Sequence, residues 1–440
     1  MKAVLVPVHF ASGMDEEFQK HLAIVKNLLA DDADIRAPVP LTARLPADAD
    51  AVVFPQLIGD AFAQLSALKK VALPALVLTS DFATVNMWDW EIVTFMKSLG
   101  MKVFAPYDIE LTRKICRALA LKREMRSAKF LMFQDKPGVG GKQAEIFKRF
   151  WWWEDRCTEM IREKFWIRIV KKSFQKLGED AKRIGDAEAR EALASRPVPV
   201  DGVAERQLFS AMKVYLAIRR ELDADPAIQG AGLNCLNESA FSDTTPCLAW
   251  DLLYQERRLI WACEADTLSL LTTYLLERSI GAPIMMSNLY PFLMGGAALK
   301  HEKIDKFPNV AEPENHLLMV HCGYFGVVPR PFSASWTLRP KVLAIVDENA
   351  TMIDARMPEG AITLAKLHPE LKSMQVIKGE MEGYVQYPGS DCRNGALLRV
   401  TDGAKLMKSF FSHHYCLLTG RREVEIENVA RVMDIGVEDL

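Results

Sequence analysis

The sequence predicts an α/β protein in which two doubly wound α/β domains are followed by a β-rich C-terminal domain. Strand-like and helix-like segments alternate near the N-terminus, and the same alternation returns between residues 205 and 282. From about residue 330 the pattern changes to short strands separated by turn residues. A chain of 440 residues is too long for one hydrophobic core. We therefore expect domains at residues 1–157, 158–282 and 283–440.

Apolar runs in the N-terminal part predict strands at residues 3–8, 51–54, 73–79, 102–105 and 128–133. Amphipathic stretches between them predict helices at residues 16–29, 90–99 and 111–126. This rhythm is typical of a parallel sheet with helices on its faces. Residues 143–195 are charged and rich in tryptophan, and we expect them to be helical up to Pro197 and Pro199.

The second α/β region is predicted to contain helices at residues 205–222 and 247–255, and strands at 230–234 and 259–263. A helix over residues 268–278 then ends at Gly281, and a further strand runs to Asn288. Glu264 and Asn288 would follow two strands joined by one helical crossover. Proteins of the α/β class often place their chemistry at such strand ends.

The C-terminal part is predicted to be a mostly antiparallel β-domain. Its strands are expected at residues 333–338, 342–347, 351–355, 361–367, 374–382 and 396–400, with a final helix over 426–433.

Composition excludes several classes of partner. The formal net charge of -2 offers no electrostatic basis for binding nucleic acid or an anionic membrane. The chain has no run of about 18 uncharged apolar residues, so we expect no membrane span. It begins with a strand-like segment in place of a cleavable apolar leader, which predicts a cytoplasmic protein. The eight cysteines form no CxxC pair, so neither a structural zinc site nor a thioredoxin-like motif is indicated.

Two conspicuous motifs are interpreted as structural. The segment Gly138-Val-Gly-Gly-Lys142 lacks the glycine spacing of a phosphate-binding loop, and Gln143 stands where such a loop has Ser or Thr. The consecutive Trp151, Trp152 and Trp153 would point in different directions from a helix, which favours packing between helices or subunits over a stacking platform.

Three polar residues in apolar surroundings are candidates for a metal site. Glu264 follows the apolar Trp261-Ala-Cys263, where a buried carboxylate needs a cation or a hydrogen-bond partner. His321 follows Leu-Leu-Met-Val, and His414 lies within Phe-Phe-Ser-His-His-Tyr-Cys. Each has a plainer interpretation, since Glu264 would suit a helix N-terminus and either histidine could be a core residue. A carboxylate, an amide and imidazoles from distant segments nevertheless suit one divalent ion such as Mn²⁺.

Four segments occur in an order found in a known family: Asn234-Cys-Leu-Asn-Glu238, Ala262-Cys-Glu-Ala-Asp266, His321-Cys-Gly323 and Ser412-His-His414. On these segments the chain resembles the L-fucose/L-arabinose isomerase superfamily, over roughly residues 205–420.

The resemblance implies a Mn²⁺ site whose ligands are Glu264, Asn288 and His414, with His413 as the alternative histidine. Asn288 stands where the family has an aspartate, and an amide cannot accept a proton as a carboxylate does. Glu264 and Asp266 are then expected to be catalytic. Contacts with the sugar are expected from Asn234, Glu238, His321, His413 and Trp88.

The activity implied is aldose–ketose isomerisation of a small sugar through an enediolate, on a neutral, acidic or otherwise modified substrate. A decarboxylase or aldol-type lyase acting on an oxidised sugar is the alternative, and a non-catalytic sugar-binding relative is a third. The resemblance also implies a homo-oligomer, a trimer or hexamer. Because aromatic residues are enriched in interface cores, Trp88, Trp90 and Trp151–Trp153 are candidates for its contact surface.

Overall fold

The computed structural model describes residues 2–57, 60–135, 150–235, 238–299, 304–321, 324–340, 349–387 and 394–440. The chain divides into two compact units. The first comprises Met1–Glu124, Arg278–Gly281 and Val424–Ile435, and the second comprises Met125–Glu277, Ala282–Glu423 and Gly436–Leu440.

The strands of the first unit are β1 (Ala3–His9), β2 (Ala33–Ile35), β3 (Val39–Pro40), β4 (Ala51–Phe54), β5 (Ala75–Val77) and β6 (Val103–Phe104). They form a parallel sheet with the order β2-β1-β4-β5-β6, and β3 pairs with the C-terminal end of β1, after the part that pairs with β2. Its helices are α1 (Glu16–Leu28), α2 (Asp60–Ala63), α3 (Leu65–Leu68), α4 (Trp90–Ser98) and α5 (Ile109–Glu124). Helix α1 begins where the Asp15 carboxylate accepts a hydrogen bond from the Phe18 amide at 2.9 Å.

The second unit begins with another parallel sheet, ordered β10-β9-β7-β8. Its strands are β7 (Lys129–Phe133), β8 (Arg168–Lys172), β9 (Ile228–Leu233) and β10 (Ile260–Cys263). The helices are α6 (Asp155–Phe165), α7 (Phe174–Arg183), α8 (Asp186–Ala194), α9 (Glu205–Ala224), α10 (Cys247–Arg257) and α11 (Thr267–Ile280), the last of which belongs to this unit up to Glu277.

Strand β8 corrects the expectation that residues 143–195 are entirely helical. Its sequence Arg-Ile-Val-Lys-Lys carries three charges, and its residues are exposed or half-buried. Among the described strands it pairs with β7 alone, at the edge of the sheet, so it does not need a continuous apolar run. The strand was therefore not predicted, because its polar sequence lacks the apolar run by which the other strands were recognised.

The remainder of the second unit contains a closed barrel. Its strands and those beside it are β11 (Ile284–Pro291), β12 (His316–Val320), β13 (Ser335–Pro340), β14 (Thr351–Arg356), β15 (Gly360–Leu367), β16 (Ser373–Gln386), β17 (Asn394–Val400), β18 (His414–Thr419) and β19 (Gly436–Asp439). Six of them run in the order β15-β18-β11-β12-β17-β16, and β16 pairs again with β15. All six pairings are antiparallel. Strands β13 and β14 form a separate ribbon, and β19 extends the barrel beside β16.

Helices α12 (Gly296–Leu299), α13 (Gly403–Ser409) and α14 (Glu423–Val432) complete the α-helices of the described residues. The prediction of a mixed α/β protein with a β-rich C-terminal part is confirmed. The division into domains at residues 157 and 282 stays a prediction. No helix in the described ranges is long and apolar enough to cross a membrane.

The position of Asn288 differs from the sequence-based expectation. Helix α11 joins β10 of the parallel sheet to β11 of the barrel, so Asn288 lies within a barrel strand and not at the edge of the parallel sheet. The strand continues to Pro291 because β12 pairs with it beyond Asn288. The expected strand at residues 342–347 and the segment Gly138–Lys142 lie outside the described residues.

Candidate metal centre

The turn after β10 positions the Glu264 side chain. Glu264 and Ala265 both adopt left-handed backbone conformations, with φ of 55° and 52°. Such angles are uncommon for residues other than glycine. Two hydrogen bonds hold the turn, because Trp153 Nε1 donates to the Glu264 carbonyl at 2.7 Å and the Ala265 amide donates to the Leu233 carbonyl at 3.1 Å. The Glu264 residue is only 3% exposed.

Asp266, two residues later, starts α11 and is completely buried. Its Oδ1 accepts hydrogen bonds from the Leu268 and Ser269 amides, both at 2.9 Å, as an N-terminal helix cap does. Its Oδ2 accepts from Lys366 Nζ at 2.8 Å and lies 2.9 Å from His414 Nδ1. Burial alone would raise the pKa of Asp266, but the Lys366 charge and the His414 hydrogen bond outweigh it and lower the pKa well below its usual range. Asp266 is therefore an ionised carboxylate whose two oxygens are both occupied.

His414 is the first residue of β18 and is completely buried. Because the ionised Asp266 carboxylate can only accept, Nδ1 of the ring donates to its Oδ2, and Nε2 is the ring nitrogen that remains for another partner. Nε2 lies 3.7 Å from Glu264 Oε1, and it makes no hydrogen bond with any described residue. A carboxylate that orients a histidine in this way is the usual partner of a metal-binding imidazole.

His321 brings a second imidazole to Glu264. It follows β12 directly, is 3% exposed, and places Nε2 3.6 Å from Glu264 Oε1. One ligand atom each from Glu264, His321 and His414 can be chosen so that all three lie within 4.8 Å of one another. Metal–ligand bonds of about 2.0–2.2 Å hold ligand atoms within about 4.4 Å of each other. The cluster fits one ion after a small adjustment of side chains.

The electrostatics of Glu264 also suit a ligand. Burial acts to raise its pKa, but the interaction with His414, followed by that with His321, outweighs burial and lowers the pKa to about 2. The carboxylate is therefore ionised, which is the form that binds metal.

Asn288 lies directly opposite His414 in the antiparallel pairing of β11 with β18. Residues paired in this way have Cβ atoms about 4.5–5.5 Å apart on the same face of the sheet. The Asn288 amide nitrogen donates to the Tyr290 hydroxyl at 3.1 Å. Its Oδ1 is buried and accepts no hydrogen bond within the described ranges. An acceptor oxygen is thus available beside His414.

Aromatic rings line the cluster on one side. Phe150 and Trp152 stack with ring centroids 4.4 Å apart, and the Trp152 centroid lies 5.1 Å from that of His414. His413 contacts the same rings, at 5.5 Å from Phe150 and 5.7 Å from Trp152. Burial, with His414 next in importance, lowers the pKa of His413 to about 3 and keeps this ring neutral.

The remaining expected site residues are Asn234 and Glu238, at the sheet edge, and Trp88, in the first unit. Asn234 follows β9 and is within 3.4 Å of Glu238, whose two carboxylate oxygens each accept from the Asp135 amide at 3.0 Å. These contacts tie together the ends of β7 and β9, at the same carboxyl edge of the sheet as Glu264. Trp88 belongs to the first unit, where it is 77% exposed.

Sequence reasoning missed Lys366, Trp152 and Trp153 as parts of the cluster. Lys366 is 1% exposed and hydrogen-bonds both Asp266 and Ser269. Its position within the apolar strand β15 was a usable signal, because a lysine there must find a buried carboxylate. For the tryptophans, the run of three gave no indication that Trp152 and Trp153 are buried within their own chain, at 6% and 1% exposure.

Comparison with known proteins assigns no family. No model of a known protein family matches the chain, and no curated protein matches it. The likeness to the L-fucose/L-arabinose isomerase superfamily therefore rests on the four short segments described above.

Proposed function

We propose that this protein is a metal-dependent carbohydrate enzyme, an aldose–ketose isomerase that binds one divalent ion through Glu264, His321 and His414. The observation that carries the proposal is the orientation of His414. Asp266 holds its Nδ1, while its Nε2 faces the ionised Glu264 carboxylate at 3.7 Å without hydrogen-bonding to it. Two buried groups that face each other in this way are well placed to share a cation.

The donor set suits a borderline or moderately hard ion. Two imidazole nitrogens and a carboxylate oxygen, with the Asn288 carbonyl oxygen as a fourth candidate, fit Mn²⁺, Fe²⁺ or Zn²⁺. Mn²⁺ is the ion that the family resemblance implies. When bound, such an ion would polarise a sugar carbonyl as a Lewis acid.

The two carboxylates have different roles in this proposal. Asp266 accepts hydrogen bonds on both oxygens, so it positions His414 and has no lone pair directed at a substrate. Glu264 accepts the proton from one substrate carbon and returns it to the neighbouring carbon. The neutral His413 ring hydrogen-bonds a sugar hydroxyl beside the Phe150 and Trp152 rings.

A second candidate is a decarboxylase or aldol-type lyase acting on an oxidised sugar. The observation that favours it is charge. Residue 288 is neutral, and the buried Asp266 and Lys366 cancel each other at 2.8 Å. A divalent ion held by one carboxylate would leave the site with a net positive charge, which attracts an anionic substrate and stabilises an enolate. An isomerase of acidic sugars would use the same charge.

We also propose a homo-oligomer, a trimer or hexamer. Several large apolar side chains are exposed in the first unit, among them Phe82, Met87 and Trp88 at 71%, 67% and 77%. Exposed apolar surface of this kind is typical of an interaction site. Light scattering at working concentration should give a mass that is a multiple of 49.5 kDa. A monomer with full activity would contradict this part of the proposal.

The experiment that tests the activity combines metal analysis with a substrate screen. The purified protein should contain close to one divalent ion per chain. Chelation should abolish turnover, and adding back Mn²⁺, Fe²⁺ or Zn²⁺ should restore it. Aldoses, ketoses and sugar acids are assayed in parallel, so that interconversion of isomers is separated from release of carbon dioxide or an aldehyde. A protein that turns over a sugar equally well before and after chelation would refute the metal-dependent mechanism.

A further inference from the structure

The first unit contains a cavity of about 650 Å³ that is separate from the metal-site cluster. Its floor includes Val8 of β1 and Val52 of β4, which belong to the same buried core as Phe54 and Val77. The cavity therefore opens onto the apolar face of the parallel sheet.

The cavity exists because this face is covered unevenly. The nine-residue helix α4, which packs against β6, contributes Val93 and Met96 to the core. The connection between β4 and β5 instead contains α2 and α3, which have only four residues each. Helices of about one turn cannot cover the whole apolar face, and the space is bounded by residues 41–49 and 66–73.

The walls of the cavity are aliphatic. Leu41, Leu45, Val71 and Leu73 surround the two valines of the floor. No aromatic side chain lines the cavity among the residues that the structure describes, so nothing in this lining selects a planar ring by stacking. An aliphatic chain is the ligand that suits such walls.

Two cations complete the lining. Arg44 and Lys70 both border the cavity and are both exposed, so the space reaches solvent where they lie. Neither side chain forms an ion pair or a hydrogen bond with another described residue. No carboxylate lines the cavity in the described part of the chain either. Among the described residues that line the cavity, the charged ones are therefore both cations.

We propose that this cavity binds an aliphatic monocarboxylate, whose chain lies against Leu41, Val52 and Val71 while its carboxylate pairs with Arg44 and Lys70. Sites for small molecules usually have volumes of about 300–1,000 Å³, with mostly apolar walls and a few polar groups that orient the ligand. The cavity has each of these properties. The proposal does not depend on the activity proposed for the second unit.

Dodecanoate is the probe that tests it, by isothermal titration calorimetry on the full chain. We expect saturable binding at concentrations below about 1 mM. The double variant Arg44→Glu/Lys70→Glu should weaken dodecanoate binding by about tenfold, because exposed ion pairs contribute modestly one by one. Dodecan-1-ol should bind both proteins alike.

Lys69→Glu is the matched control, since Lys69 is exposed next to Lys70 but does not line the cavity. It should change dodecanoate affinity by less than about twofold. Ala67→Trp, which places a large ring on the cavity wall, should abolish binding of both probes, with folding checked by circular dichroism. If the double reversal does not fold, Arg44→Gln/Lys70→Gln replaces it. The proposal would be overturned if the unmodified protein showed no saturable binding of dodecanoate. It would also be overturned if Ala67→Trp and the charge-changed double variant bound dodecanoate as tightly as the unmodified protein.

Discussion

Each of the two parallel sheets has a buried carboxylate near its carboxyl edge, and the pKa values of these two carboxylates are shifted in opposite directions. In the first unit, burial raises the pKa of Asp89, and a hydrogen bond from the Thr79 hydroxyl offsets this only in part. In the second unit, the imidazoles around Glu264 outweigh its burial and lower its pKa to about 2. The exposed fractions are nearly equal, at 2% for Asp89 and 3% for Glu264.

Burial therefore does not decide whether a carboxylate is available as a ligand; its neighbours do. Thr79 is ten residues from Asp89 and lies in the same connection, so this contact forms within one local segment. The neighbours of Glu264 come from two barrel segments, with His321 and His414 distant in sequence. A neutral hydroxyl leaves Asp89 as a structural residue, whereas two imidazoles beside Glu264 make that carboxylate a candidate metal ligand.

The largest effect expected from this difference is on metal content. Glu264→Gln removes the charged ligand and the proposed base together, so metal should be lost and turnover should fall by at least about a thousandfold. Asp89→Asn is the matched control, a buried carboxylate near the edge of the other sheet, and should retain both. Elemental analysis and steady-state assays of the two variants test this. Full metal content and activity in Glu264→Gln would exclude Glu264 from the site.

Asp266→Asn should have the next largest effect. The amide loses the charge that holds the His414 Nδ1 proton, so metal affinity should fall by about 10–100-fold, as measured by competition with a chelator. Glu238→Gln is the control, because Glu238 is also buried at this sheet edge but accepts from the Asp135 amide. Equal affinities in the two variants would show that Asp266 does not act through His414.

Asn288→Asp tests the position where the chain departs from the pattern of the family that it resembles. A second carboxylate opposite His414 should strengthen metal binding by about tenfold. It should also remove the net positive charge of the loaded site, so turnover of anionic sugars should fall relative to neutral ones. Parallel assays on both kinds of sugar measure the ratio. A gain of similar size on every substrate would refute the preference for anions.

The smallest effect concerns the stability of the first unit. Because the pKa of Asp89 is raised on folding, its contribution to the free energy of unfolding is greatest at low pH and is lost as the pH rises through the folded pKa. In the Asp89→Asn variant this side chain cannot ionise. The free energy of unfolding of the variant, relative to that of the unmodified protein, should therefore increase from pH 4 towards neutrality, by less than about 1 kcal/mol. Urea denaturation across this pH range measures the difference. If the difference in the free energy of unfolding does not vary with pH, ionisation of Asp89 does not destabilise the folded protein.

The fold class could be predicted because most strands are local apolar runs bounded by turn residues, as in β4 and β10. Closure of the barrel could not be predicted, because it depends on the pairing of β15 with both β16 and β18. The sequence of one strand does not show which other strands pair with it. The site divides in the same way. Glu264 and His414 were conspicuous as polar residues in apolar segments, but the approach of Lys366 to Asp266 across 100 residues appears only in three dimensions.

The closed barrel also bears on the order in which the protein can assemble during synthesis. Strand β18 fits between β11 and β15 and is made after both of them. Until it inserts, those two strands have unpaired edges that can pair with other chains. During this interval the chain is prone to aggregation and is open to binding by chaperones. Because His414 is the first residue of β18, the insertion that closes the barrel also delivers the final imidazole to Glu264. A nascent chain released before this step would lack both a closed barrel and the third residue of the candidate metal site.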